Sequence, residues 1–183
     1  SLAREQPGSS ELPGSLRALI AAQLDQLDAG PRAVLDNASV LGTSGPIFSL
    51  EQFADELGQS FDDSFVTTLE EEGLLELDDA RWYFRSDVVR EVAYQMLTKL
   101  VRAQRHAGVA EVTGAQPMVH VEAVAHHAAT AAELISEIGP VDGVDSDIKT
   151  QAVQLLQRAA RRSLELGAFS QTSHHASRAL DLG

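Results

Sequence analysis

The sequence predicts a mainly α-helical chain that carries one short β-hairpin. Most of its apolar residues recur with the three-and-four spacing of an amphipathic helix. Glycine and proline divide these periodic stretches into segments of helical length. One segment departs from this pattern, because "LLEL" and "RWYF" flank the turn "DDA" and have the composition of paired strands.

Composition and charge limit the classes of function. The chain has 183 residues, 44% of them hydrophobic, which is enough for one large core or two small ones. Its 27 acidic and 14 basic residues give a formal net charge of -13, which repels phosphate backbones and anionic membrane surfaces. No apolar run reaches the ~20 residues of a bilayer span. Cysteine is absent, which fits a reducing compartment, so we expect a cytoplasmic protein without membrane or nucleic-acid partners.

The first helices are predicted from apolar faces that end at breakers. The first helix follows Pro13 and has one face made of Leu16, Leu19, Ile20, Gln23, Leu24 and Leu27. Pro31 opens a second helix, and Gly42 ends it. The stretch "GTSGPIF" is predicted to be a loop, and Ser49 with Gln52 resembles a capping box that opens a short third helix.

Another helix is predicted from about Asp62 to Glu72, directly before the hairpin. Gly73 fits a left-handed C-terminal cap, with Leu74 folding back towards Leu69. This helix reads "DDSFVTTLEEEG" and contains no basic residue.

Three or four helices followed by a hairpin is the order of a winged helix, and we assign residues 13–100 to such a domain, after a flexible lead-in at 1–12. DNA readers of the helix-turn-helix class place their recognition helix in the major groove, where phosphate neutralisation supplies much of the affinity. An acidic helix in the position of the recognition helix favours contact with a protein rather than with DNA. A stand-alone DNA-binding winged-helix regulator is the alternative.

The hairpin continues into a helix through "RSD" with no intervening loop. Ser86 can cap this helix, and Asp87 favours its first turn through the helix dipole. Helical periodicity is predicted to continue to Gly114 and to restart after Pro117. The stretch "GPVDGVDSD", which starts at Gly139, is the next predicted boundary.

Residues 101–183 form the second predicted region, which consists of helices. Its last part, about 148–182, resembles a single tetratricopeptide unit, with Ala160 where two helices touch, Gly167 at the turn and Phe169 opening the second helix. One unit cannot bury its own faces, so we expect further repeats or capping by the preceding helices. The chain is therefore predicted to be a piece of a longer protein.

Two motifs connect these elements with a known family. "LPGSLRALIAAQLDQLDAGPRAVLDNASVLG" and "YFRSDVVREVAYQML" resemble the helices and the strand-to-helix segment that follow the nucleotide-binding domain in STAND-type signalling ATPases. "RAQRHAGVAEV" and "EAVAHHAATAAEL" are similar to the next helices, best in bacterial members whose effector is a class III adenylyl or guanylyl cyclase. ATP-dependent regulators that end in a LuxR-type DNA-binding domain share this middle region and are the alternative.

The resemblance implies a non-catalytic regulatory and protein-interaction segment. Its expected partners are the nucleotide-binding domain of the same chain and proteins that contact the helical repeats. ATP or ADP would bind in that nucleotide domain, so no cofactor is expected in this segment alone. In related switch ATPases a histidine at the strand-to-helix corner approaches the diphosphate of ADP. Arg85 and Ser86 occupy that corner here, and they are the candidate ADP-phosphate contacts.

No catalytic or metal-binding residue is predicted. The sequence contains no G-x-x-x-x-G-K-[ST] loop, no G-x-S-x-G elbow and no H-E-x-x-H pair. Its six histidines include the adjacent pairs His126-His127 and His174-His175. Adjacent helical residues point about 100° apart and do not chelate one ion together. We interpret these histidines as surface or helix-packing residues.

Overall fold

The computed structural model describes residues 14–114 and 120–183, and this part of the chain is mainly α-helical, as the sequence predicts. In chain order the elements are α1 (Gly14–Leu24), α2 (Ala29–Leu41), β1 (Ser44–Pro46), α3 (Ile47–Glu56), α4 (Asp63–Glu71), β2 (Leu75–Asp78), β3 (Arg81–Phe84), α5 (Asp87–Met96), α6 (Lys99–Gly114), α7 (Val121–Ile138), α8 (Ile148–Glu165) and α9 (Phe169–Leu182). None of these helices has the length and hydropathy to cross a membrane. The predicted lead-in at 1–12, Pro13 and residues 115–119 lie outside the described residues, whereas the helix predicted to follow Pro117 is present as α7.

The sheet contains a strand that the sequence did not predict. β1 comes from "GTSGPIF", which was expected to be a loop, and it pairs antiparallel with β3 to give the strand order β1-β3-β2. Gly45 lies opposite Trp82, and a Cβ at Gly45 would come 3.1 Å from the indole ring. A three-residue edge strand with glycine and proline lacks strand composition, so only its pairing with β3 defines it.

Two helix boundaries also differ from the prediction. α3 begins at Ile47 rather than at the expected Ser49–Gln52 capping box, and the Ser49 hydroxyl donates to the carbonyl oxygen of Pro46 at 2.7 Å. The periodicity expected to run on to Gly114 is interrupted at Leu97, where the backbone is extended (ψ 136). Arg102 Nε donates to the Leu97 carbonyl at 3.0 Å and thereby satisfies the backbone group that the break exposes.

The predicted C-terminal cap of α4 is confirmed, and the helix also has an N-terminal cap that the sequence did not predict. Asp62 caps α4 by accepting from the Ser64 amide at 2.8 Å. Gly73 has a φ of 69°, and the amide of Leu74 donates to the carbonyl of Leu69 at 2.9 Å, which is the expected left-handed termination.

Two main groups of buried residues divide the chain. The first joins α1, α2, α4, α5 and the sheet around Trp82, which is completely buried. The second is formed by α6 to α9 and is dominated by alanine, including Ala125, Ala128, Ala129, Ala131, Ala132, Ala152 and Ala159. Alanine allows helices to approach closely, whereas the first core depends on large side chains. A small cluster of Val40, Phe53, Leu97 and Val109 lies between the two.

Some residues on predicted apolar faces are exposed. Leu19 on α1 is 68% exposed, and Ile20 and Leu24 alone supply the buried part of that helix.

In the last helix pair, Gly167 adopts a φ of 73° at the turn and Phe169 is the first residue of α9. Ala160 is half-buried and lines a surface groove between α8 and α9, so periodicity identified the faces but not which residues are covered.

Trp82 should be the most sensitive position of the first core. We expect Trp82→Ala to lower the free energy of unfolding by about 3–5 kcal/mol, because it leaves a cavity beside Gly45 and Phe84. Trp82→Phe should cost less, since it keeps an aromatic ring and removes an indole N–H that has no hydrogen-bond partner. The measurement is urea unfolding followed by far-UV circular dichroism.

Arg81→Ala is the matched control in the same strand, because Arg81 is exposed and should change the free energy of unfolding by no more than about 0.5 kcal/mol. Equal losses in Trp82→Ala and Arg81→Ala would contradict the assigned register of β3.

Candidate functional site

The predicted site residues lie at the corner between β3 and α5. The backbone amide of Arg85 donates to the carbonyl of Leu74 at 3.1 Å, which extends the pairing with the β2 side of the sheet. Ser86 is extended (φ -155, ψ 154), and its hydroxyl oxygen accepts from the Val89 amide at 3.3 Å. The predicted role of Ser86 as the cap of α5 is therefore confirmed. One hydrogen bond holds the corner to the β2 side of the sheet, and the other holds it to α5.

The side chains of the corner point into solvent. Arg85, Ser86 and Asp87 are all exposed. Arg85 Nε lies 3.6 Å from Glu76 Oε1, and both side chains are 59% exposed. Such a pair contributes only about 0–1 kcal/mol, so the guanidinium group can exchange partners readily. The Ser86 hydroxyl uses a lone pair for capping and keeps its hydrogen available for donation.

The corner fits a single peripheral contact to a phosphate group. One guanidinium and one hydroxyl at the start of α5 can donate to a phosphate oxygen, and the helix dipole favours negative charge there. Glu76 and Asp87 add two carboxylates, so the corner has no excess of positive charge to neutralise a diphosphate. Arg85 and Ser86 therefore do not form a nucleotide site by themselves, and the ADP contact remains a prediction.

A second polar site was missed by the sequence analysis. His106 on α6 and His127 on α7 are buried, and their Nδ1 atoms lie 2.8 Å apart. His106 Nε2 lies 2.9 Å from the Tyr94 hydroxyl oxygen, which joins α5 to the same chain of hydrogen bonds. In the sequence, His127 stands beside His126, and the two were predicted to be surface or helix-packing residues. The position of His127 three residues after Val124, on the apolar face of α7, was the available signal.

Burial controls the protonation of this histidine pair. Desolvation, with smaller contributions from His127 and His126, lowers the pKa of His106 to about 3. Desolvation and then His126 lower the pKa of His127 to about 4. Both rings are therefore neutral at pH 7, and each can donate through one nitrogen and accept through the other. The hydrogen-bond chain from Tyr94 to His127 can run in either direction.

A salt bridge between α7 and α9 lies beside the histidine pair. Arg178 on α9 contacts both carboxylate oxygens of Glu133 on α7, at 2.9 and 3.0 Å, and its Nη1 atom lies 3.3 Å from His126 Nδ1. In residues 14–114 and 120–183, no group of three or more histidine, aspartate or glutamate side chains is arranged to hold a metal ion.

Comparison of the chain with protein-family models, curated proteins and solved structures finds no match. The resemblance to STAND-type ATPases therefore stays a prediction from sequence motifs.

The histidine pair should make the fold sensitive to mild acid. Because the folded-state pKa values lie below the ordinary value of about 6.5, the contribution of the pair is complete above that pH and is lost as the pH falls through about 4 and about 3. For each neutral histidine, the free energy of unfolding should fall by up to roughly 1.4 kcal/mol for each pH unit that the pH decreases in this window. The measurement is the free energy of unfolding at a series of pH values.

His127→Gln should reduce this slope, since a glutamine cannot take up a proton in the unfolded state. His120→Gln is the matched control, because His120 is exposed and lies outside the pair. A His127→Gln variant with an unchanged slope would show that His127 does not contribute to the acid sensitivity.

Proposed function

We propose that this chain is a non-catalytic regulatory and protein-interaction segment of a STAND-type, ATP-dependent signalling protein whose effector is a nucleotide cyclase. Residues 13–100 are its winged-helix domain. The order helix, strand, helix, helix, strand, strand from α2 to β3 supports this part of the proposal. The following helices form the tetratricopeptide-like arm, and the turn at Gly167 between α8 and α9 supports that part.

The observation that carries the proposal is the acidic outer face of α4. Val66 and Leu69 are buried against the first core, whereas Asp63, Glu70 and Glu71 are exposed. A DNA reader of this architecture would place α4 in the major groove, among phosphates that repel these carboxylates. The same face suits a protein partner with basic side chains, which favours regulation over DNA recognition.

The helical arm offers apolar surface to protein partners. Its last two helices expose large apolar side chains at Leu164, Leu166, Phe169 and Leu180, with exposed fractions of 54%, 73%, 72% and 82%. Leu164, Leu166 and Phe169 adjoin the turn at Gly167, and exposed apolar residues that occur close together are typical of protein contacts. A protein surface that binds nucleic acid would instead need positively charged side chains.

The two regions are attached by buried polar contacts, which supports a relay role. Tyr94 on α5 contacts His106 on α6, and Arg105 on α6 pairs with Asp36 on α2. Because α5 begins at the Arg85–Ser86 corner, a displacement of that corner by a nucleotide domain would move a helix that is bonded directly to the arm.

Duplex DNA binding tests the proposal against its main alternative. Fluorescence anisotropy with a labelled duplex at low salt should show no saturable binding by this chain, because its net charge of -13 opposes association. Micromolar affinity with a steep salt dependence would instead support a DNA-binding winged-helix regulator.

In the full-length protein, the corner should influence ADP retention. We expect Arg85→Ala to weaken ADP binding more than Ser86→Ala does, since a charged contact contributes about 1.5–3 kcal/mol and a neutral one about 0.5–1.5 kcal/mol. Ser86→His should tighten binding, because it restores the donor that the resembling family uses. The measurement is the dissociation rate of a fluorescent ADP analogue.

The chain of residues 1–183 alone provides the control. There, Ser86→Ala should cost only the helix cap, about 1 kcal/mol of unfolding free energy, and Ser86→Asn should retain it. Equal ADP dissociation from all three full-length variants would show that the corner has a packing role only.

A further inference from the structure

A groove on the outside of the first core is open to solvent and has mainly apolar walls. Its volume is about 550 Å³, and it lies between the start of α3, the outer side of α4 and the turn from β2 to β3. Phe48, on the first turn of α3, is 60% exposed and forms one wall. The other apolar residues that line this Phe48 groove are Pro46, Ile47, Val66, Leu77 and Ala80. A concave apolar surface of this kind fits a protruding apolar segment of a protein.

The rim of the Phe48 groove is acidic. Asp63 and Asp79 line it, both are exposed, and neither forms an ion pair within residues 14–114 and 120–183. Arg81 also lines the groove, but its Nε atom donates to the Tyr83 hydroxyl oxygen at 3.2 Å, and its guanidinium carbon lies 5.8 Å from the centre of the Tyr83 ring. A partner that satisfies this groove must therefore combine an apolar group with positive charge.

The turn between α8 and α9 is an apolar projection of the chain. Leu164, Leu166 and Phe169 adjoin Gly167 at this turn, and all three are exposed. Polar residues, glycine and proline are the usual residues of surface turns, so three large apolar side chains at one turn are a departure from that pattern. These three residues form the α8–α9 tip, which is available for apolar contact with another protein surface.

Positive charge lies directly beside the α8–α9 tip. Residues 158–165 contain three arginines and one glutamate, a local net charge of +2 in a chain whose net charge is -13. Arg162 Nε lies 3.3 Å from Glu122 Oε1, so this arginine is paired. Arg158 and Arg161 are exposed and form no ion pair in the described part of the chain. Two unpaired arginines beside an apolar tip match the two unpaired aspartates on the rim of the Phe48 groove.

We propose that copies of this chain associate head to tail, with the α8–α9 tip of one copy in the Phe48 groove of the next. Leu166 and Phe169 would be removed from water against the apolar walls, and Arg158 and Arg161 would face the acidic rim. The tip and the groove are different surfaces, so the contact is heterologous, and further copies can add until the assembly closes into a ring. This inference stands independently of the function proposed above.

The net charge of the chain sets the conditions for this association. Two copies that each have a charge of -13 repel one another at low ionic strength. At 0.15 M salt the Debye length is about 8 Å, so the repulsion between whole molecules is largely screened, whereas charges in direct contact are screened less. A tip in a groove is a small interface, and small interfaces are typical of weak, reversible association.

The test is sedimentation velocity of the chain of residues 1–183 in roughly 0.15 M salt. We expect the weight-average sedimentation coefficient to rise as the protein concentration increases between about 1 μM and 1 mM. A monomer value at every concentration would overturn the proposal.

Two variants remove one surface each. Phe48→Arg replaces a wall of the groove by a cation that repels the arginines of the tip, and the double variant Leu166→Ser, Phe169→Ser removes apolar side chains of the tip. Each should weaken self-association by at least roughly tenfold. Neither makes the net charge more negative, so added repulsion would not explain the loss. Leu19→Ser is the matched control, because Leu19 is an exposed leucine on α1 outside both surfaces, and its association should equal that of the wild type.

Mixing the two variants distinguishes a head-to-tail contact from a symmetric one. The Phe48→Arg protein keeps its tip and the Leu166→Ser, Phe169→Ser protein keeps its groove, so an equimolar mixture should form one-to-one dimers and nothing larger. Both variants should fold, because the three changed residues are exposed. A mixture that stays monomeric, or a variant that self-associates as the wild type does, would overturn the proposal.

Charge reversal tests the contribution of the arginines. Arg161→Glu should weaken self-association by about threefold to tenfold, because a carboxylate would then face the acidic rim. Lys149→Glu is the matched control, because Lys149 is exposed on the same helix, lies far from the tip and gives the same change in net charge. Equal losses in the two variants would show that net charge alone matters, and the assignment of the tip would be wrong.

Discussion

The position of Trp82 in the middle strand is the constraint on which the other elements depend. β3 pairs with both β1 and β2, and the indole is completely buried beneath Gly45, edge-on to Phe84. Because β3 continues through Arg85 and Ser86 into α5, the sheet sets where that helix begins. α5 then packs on α1 and α2 and carries Tyr94 to His106. The sheet is therefore connected through α5 to the first helix of the second core.

Polar contacts accompany the small apolar cluster of Val40, Phe53, Leu97 and Val109 where the two cores meet. Burial raises the pKa of Asp36 in spite of two adjacent guanidinium groups, and it lowers the pKa of Arg105. Both directions show that desolvation outweighs attraction at this ion pair, so it adds little to stability. Its directional geometry does restrict how α2 and α6 can meet. The neutral histidine pair has the same effect between α6 and α7 without the cost of a buried charge.

The two cores differ in the residues that build them, and this difference has consequences for the two surfaces. Large side chains fill the first core around the sheet. The outer faces of its helices carry charged residues, as α4 does. The alanine-rich second core brings α6 to α9 close together and leaves longer apolar side chains such as Leu180 outside. The acidic and the apolar surfaces are therefore properties of different regions, and they suit different kinds of partner.

The sequence by itself determined the features that depend on neighbouring residues. Helical periodicity, the Ser86 cap and the Gly73 termination involve contacts within about one turn of helix, so the local residue order contains the necessary information.

Tertiary structure decided the features that join distant residues. β1 is a strand only because β3, which follows it by more than thirty residues, lies beside it. The same holds for the pair His106–His127 within the second core and for the pair Asp36–Arg105 between the two cores. Periodicity specifies which face of a helix is apolar, but it contains no information about which other face will cover it, because that choice depends on how the whole chain packs.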